Sequence, residues 1–337
     1  MDTEVNRVVH FRRGSLVDVE VGMWSIERTE LRFASGGTEC AAWHYPGTNG
    51  GCVVMAGGFA VPKEPATDRF AKRFSDAGFS VLAFDYRHLG ESGGQPRLVL
   101  PVGDQLADWQ AAIEFARTLP GVDPASIAVW GFSASGGYLL QVASRDPQLA
   151  AAIAQTPNVD GPAAMRNAAR HQKPLAMLRF TGRAVLDVLG SLVGRAPRLV
   201  ALADEPGSVA MLTTPDSLDG SRALRAERYP HWQQAVAARS ALRLGFYRPS
   251  RYATAVRCPL LVVVCDKDQT TPAGAAARAA HRAPRGELVR LSGGHYEPFL
   301  DGHEQAVGVE LAFLCKHLLD SALRDRSVPA LPGGRRS

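Results

Sequence analysis

Cysteine is scarce and poorly spaced for metal binding. Five occur in 337 residues (Cys40, Cys52, Cys258, Cys265, Cys315), without metal-type spacing, and an odd number argues against a full disulfide framework. The sequence also lacks a long uninterrupted apolar run. Its most membrane-like stretch, LAMLRFTGRAVLDVLGSLVG (175–194), is broken by Arg179, Arg183 and Asp187, which suits an amphipathic or buried helix better than a membrane span. The opening MDTEVNRVVHFRRGS has no apolar core of the kind an export signal needs, so the expected location is cytoplasmic. No nucleic-acid recognition motif, internal repeat or low-complexity core is present. These absences leave a soluble chain without nucleic-acid or membrane partners, acting on a small molecule, with a homodimer allowed.

The net charge of +5 is unevenly spread. Across 160–200, Arg166, Arg170, Lys173, Arg179, Arg183, Arg195 and Arg198 face only Asp160 and Asp187. A solvated basic surface is the plainer explanation; a site favouring anionic leaving groups is the sharper one.

Short apolar runs alternate with helical patterns along most of the chain. TELRFASGGTECAAWHYPG predicts a hairpin about Ser35-Gly36-Gly37. GGCVVMAGG, FSVLAFD, ASIAVWG, LAAAIAQTP, PLLVVVCDKD and ELVRLSGG read as strands, those with continuous apolar runs as buried on both faces. Helical patterns separate them, which predicts a mostly parallel sheet flanked by helices. The alternation stops over 160–250, rich in Arg, Ala and Leu, and this segment is expected to form an inserted helical cap. The organisation is then core (1–159), cap (160–250), core (251–322) and a disordered tail (323–337).

AVWGFSASGGYLL (128–140) runs a strand into a cluster of small residues. A serine exposed on a sharp strand-to-helix turn needs small residues two before and two after it. The apolar run ends at Trp130, which favours Ser133, flanked by Gly131 and Ser135; Ser135 itself is expected to cap the following helix. A serine hydroxyl needs a base, normally histidine, oriented by a carboxylate. GGHYEPF supplies His295, and VVVCDKDQTTP supplies Asp268, further into its loop than Asp266. Asp160 is a reserve acid, and His303 is expected at the surface. Oxyanion donors are expected from the backbone N–H of Ala134 and of Phe59 in MAGGFAVPKE. Phe59, Ala60 and Tyr86 are the candidate substrate contacts. Asp85 and His88 in DYRHLGESGG are expected to shape the floor of the site, Asp104 and Asp108 to be structural, and Trp130 and Tyr138 to pack the core.

The stretches VVMAGGF, FSVLAFDYRHLGESGG, IAVWGFSASGG, PLLVVVCDKDQTTP and GGHYEPF together resemble the α/β-hydrolase superfamily. They are most similar to its serine-aminopeptidase-like and dienelactone-hydrolase-like bacterial members, over about 30–160 and 255–320. The resemblance implies an eight-stranded sheet with Ser133, Asp268 and His295 as a catalytic triad. It departs from the familiar pattern in having Gly57-Gly58 for the His-Gly of the oxyanion loop, and Ser135 for the second glycine of the elbow. The expected activity is hydrolysis of a carboxylic ester or thioester through an acyl-enzyme, with acyl transfer or cyclisation as the alternative, and peptidase or simple binding behind them. That chemistry needs no metal or organic cofactor.

Overall fold

The computed structural model describes residues 28–319; the opening segment and the 323–337 tail lie outside them. A hairpin comes first, β1 (Thr29–Ser35) and β2 (Thr38–Tyr45), closed by Gly36 and Gly37, both at positive φ as a tight two-residue turn requires. The next elements are β3 (Cys52–Ala56), α1 (Lys63–Asp76), β4 (Ser80–Phe84), α2 (Val102–Ala116), β5 (Ile127–Phe132), α3 (Ala134–Arg145) and β6 (Ala151–Gln155). The insertion holds α4 (Gly161–His171), α5 (Pro174–Leu192), β7 (Leu199–Ala203), β8 (Ala210–Leu212), α6 (Gly220–Ala223), β9 (Ala235–Ala237) and α7 (Ala238–Phe246). The core then closes with β10 (Leu260–Cys265), α8 (Ala273–Arg282), β11 (Gly286–Leu291) and α9 (His303–Leu314).

Eight strands form one sheet in the order β1-β2-β4-β3-β5-β6-β10-β11, with β2 antiparallel to both neighbours and every pairing from β4 to β11 parallel. Helices cover both faces, so β3, β4, β5, β6 and β10 are buried along their whole length, and their sequences run apolar without alternation. α1 and α9 pack on one face; α2, α3 and α8 lie on the other. Trp130 of β5 meets Phe70 of α1 at 5.1 Å and donates its indole N–H to Glu310 of α9 at 2.9 Å. Tyr138 is likewise buried in the core. Asp108 is structural: it is fully buried and binds Arg87, tying α2 to the loop after β4.

The insertion differs from the all-helical cap expected. It contains a second sheet, β8-β7-β9, of short strands. Ala- and Leu-rich segments such as LVALA and AVA carry no strand signal of their own; pairing across the insertion makes them strands. Asp160 accepts the N–H of Ala163 as the cap of α4 and pairs with Arg248, which fixes where the insertion leaves the core. No helix among the described residues is long and apolar enough to cross a membrane.

Candidate active site

β5 ends where Ser133 takes φ 57° and ψ −115°, a strained conformation for a side chain larger than glycine. The turn is held on both sides. The Ser133 N–H donates to Gln155 O at 2.9 Å, and its carbonyl accepts from Gly137 N at 3.0 Å and Asn158 N at 2.9 Å. Gly131 is required by this doubling back, since a Cβ there would lie 2.7 Å from the Ser135 carbonyl carbon. Ser135 does not cap α3, as its place in the sequence had suggested. It is fully buried, and its hydroxyl meets Tyr86 Oη and the Gly57 carbonyl, tying the elbow to the loop after β3.

His295 follows β11 and is 1% exposed. Its Nε2 lies 3.0 Å from Ser133 Oγ, and its Nδ1 lies 2.8 Å from Asp268 Oδ2. A carboxylate only accepts, so Nδ1 carries the proton and Nε2 faces the serine with a lone pair. Asp268 is pinned in turn. Thr271 donates its N–H to Oδ1 at 2.6 Å and lies with Oγ1 2.8 Å from Oδ2 and 3.1 Å from His295 Nδ1. Asp266 points elsewhere, to Arg290. Three side chains from the carboxyl ends of β5, β10 and β11 therefore form one hydrogen-bonded chain at the rim of the sheet, where open α/β sheets place their sites.

The loop after β3 passes over the elbow. A Cβ on Gly58 would lie 3.4 Å from Ser133 Cβ, so this backbone reaches the serine closely because nothing projects from it. Phe59 and Ala134 both line the cavity at Ser133. As the first residue of α3, Ala134 has an N–H with no acceptor inside the helix.

That cavity, about 110 Å³, lies between the core loops and the insertion. Met165, Leu202, Met211 and Leu244 from the insertion meet Phe59 and Phe132 from the core, and no lining side chain is charged. None of the basic residues of 160–200 lines this cavity, so its wall gives no support to the expectation of an anionic leaving group. Two of the candidate contacts also fall away. Tyr86 is buried beneath the elbow, 2.5 Å from Ser135, and does not reach the cavity. Ala60 stays off the wall at φ 58°, its carbonyl accepting from Trp232 Nε1. His303 is not at the surface: its ring is buried against Phe70, with Nδ1 3.0 Å from Pro298 O, and burial lowers its pKa. Asp85 is also buried, held by the Lys63 ammonium and main-chain N–H groups away from the chemistry. Among the described residues no group of three His, Cys, Asp or Glu is arranged to hold a metal ion.

Sequence reasoning missed Asp216. Its carboxylate accepts from Gln269 N at 2.7 Å, Thr270 Oγ1 at 2.9 Å and His295 N at 3.2 Å. Burial pushes this carboxyl up, but the Gln269 N–H, the His295 ring and the threonine hydroxyls outweigh it and leave the pKa below its ordinary value. One of two aspartates inside TTPDSLDG, Asp216 gives no sign of this before the fold is known.

The sequence profile described as "Serine aminopeptidase, S33" matches residues 49–301. The chain is 35% identical over 291 residues to the quorum-quenching protein AidA of Acinetobacter baumannii, covering 85% of this chain and 93% of that one. It is 25% identical over 279 residues to a thiohydrolase of Eupenicillium brefeldianum, covering 77% and 87%. The α/β-hydrolase GrgF of Penicillium sp. superposes with a TM-score of 0.73 at 23% identity, over 86% of this chain and 99% of that one. Matched by the profile over three-quarters of its length, with an eight-stranded hydrolase sheet and a serine on the elbow after β5, the chain belongs to the serine aminopeptidase S33 family of α/β-hydrolases.

Proposed function

We propose that this protein hydrolyses a carboxylic ester or thioester with an uncharged, apolar acyl group. Ser133 Oγ attacks the acyl carbon while His295 Nε2 takes its proton, and Asp268 holds the imidazole and stabilises the cation that forms. The N–H groups of Phe59 and Ala134 bind the developing oxyanion. His295 then protonates the departing alcohol or thiol, and a water deprotonated by the same imidazole cleaves the acyl-enzyme. The observation that carries this reading is the unbroken chain Ser133 Oγ–His295–Asp268, at 3.0 and 2.8 Å, starting from a serine at φ 57°. The apolar wall supports the acyl preference. The name of the Acinetobacter relative, carried over, would make the substrate a quorum-sensing signal.

The test is labelling by a fluorophosphonate probe together with turnover of p-nitrophenyl esters and acyl thioesters. Wild type reacts and turns over; Ser133→Ala does neither. Equal labelling of the two proteins ends the reading. Acyl transfer is the second reading, because a polyketide transferase of Stachybotrys chlorohalonatus is 36% identical over 135 residues, covering 40% of this chain and 45% of that one. Product analysis with an alcohol or amine acceptor present separates transfer from hydrolysis.

A further inference from the structure

The loops that carry Asp268 and His295 are joined from outside the core. Asp216 sits in the turn Pro215–Asp219 of the insertion, directly after Thr213 and Thr214, which line the acyl cavity. Its Oδ2 accepts from the main chain of both loops, Gln269 N at 2.7 Å and His295 N at 3.2 Å, while Oδ1 takes the Thr270 hydroxyl. Thr214 Oγ1 meets Thr270 Oγ1 at 2.8 Å, closing the seam. We propose that Asp216 is a positioning residue, a strut from the substrate wall that sets the distance between the acid and base loops. The inference rests on the serine-hydrolase reading above. Asp216 is too far along the chain from either loop for this to be local turn chemistry, and three of the donors it satisfies belong to the two catalytic loops. A substrate that moves the 211–214 wall therefore moves the same carboxylate that fixes His295. Without it, Asp268 and His295 keep their contact only through their own loops.

The experiment is Asp216→Asn, which keeps the volume but removes the charge and leaves one acceptor oxygen for the Gln269, Thr270 and His295 donors. The variant stays folded by its melting profile. Its kcat falls about tenfold to a hundredfold, as expected for losing hydrogen bonds to a charged acceptor, and fluorophosphonate labelling slows in parallel while KM holds. Asp216→Ser, too short to reach both loops, shows the same split and serves if the asparagine variant does not fold. Asp216→Glu, which keeps the charge, recovers part of the rate. If a folded variant labels at the wild-type rate, or loses KM and melting temperature with no change in kcat, the strut is overturned. If wild type itself does not label, it is the hydrolase reading that fails.

Discussion

Replacing Asp268 with asparagine tests the assigned acid on its own geometry. The two side chains have the same shape, so the fold should survive. The Thr271 N–H points at Oδ1 from 2.6 Å, and an amide nitrogen there would meet it donor to donor. The asparagine oxygen must therefore occupy the Oδ1 position, leaving its NH2 facing His295 Nδ1, where Oδ2 now lies at 2.8 Å. Nδ1 is then forced to accept. The ring proton moves to Nε2, which points at Ser133 Oγ across 3.0 Å, and the serine faces a donor instead of a base. The same tautomer error in a serine protease costs about 10⁴ in kcat, or ~5 kcal/mol of transition-state stabilisation. We expect that magnitude here, in ester turnover and in fluorophosphonate labelling alike, with an unchanged melting temperature. A variant that retains more than about a tenth of wild-type activity would refute the assignment, and would point to Thr271 Oγ1, 3.1 Å from Nδ1, as the group that orients the ring.

Three further outcomes are expected. Gly131→Ala forces a Cβ to 2.7 Å from the Ser135 backbone, so the elbow shifts. Stability falls by about 1–3 kcal/mol on denaturant unfolding and activity falls with it; wild-type behaviour would mean the turn has room it does not show. Ala168→Phe fills the apolar cavity, so kcat/KM for long acyl chains drops relative to acetyl esters; an unchanged ratio on a p-nitrophenyl series would remove this cavity as the acyl site. Burial pushes the Glu310 carboxyl to about 8, despite its bond to Trp130. Folded Glu310 thus stays protonated while the unfolded chain ionises, and stability is lost as pH rises from about 4.5 to about 8. Glu310→Gln removes that loss. Its advantage over wild type in urea should be nearly absent at pH 4.5 and about 3 kcal/mol at pH 7, whereas an advantage that does not vary with pH would contradict the buried neutral acid.

Most of the sheet is legible because burial on both faces leaves a strong trace. CVVMA, SVLAF, IAVWGF and LLVVVC are whole strands composed almost wholly of apolar residues. The order of the candidate triad is legible for a related reason. Parallel strands release their loops at one edge, so three residues at strand ends are brought together by topology, whatever their separation in sequence. The short strands of the insertion left no such trace. β8 and β9 have three residues each, too few for any period, and Ala-Met-Leu or Ala-Val-Ala suits a helix equally well.

Tyr86 and Asp216 mark where this legibility ends. Tyr86 follows a strand that does end near the site, which made it a reasonable substrate contact. Nearness along the chain, however, does not say which face of the sheet a side chain takes. Its ring lies 5.2 Å from that of Phe84, which in turn meets Trp109 of α2, so both aromatics turn under the sheet towards the helices and away from the cavity. The Tyr86 hydroxyl meets Ser135, and the small residue two positions after Ser133 thereby links Tyr86 below to the Gly57 carbonyl above. Asp216 is the opposite case. It comes from a segment whose path the sheet does not dictate, yet it touches both loops that carry Asp268 and His295. Strand order alone can deliver a nucleophile, base and acid to one rim. Holding them at bonding distance takes lateral contacts such as Ser135–Gly57 and Asp216–His295, and these are properties of the folded insertion and loops that no local pattern encodes.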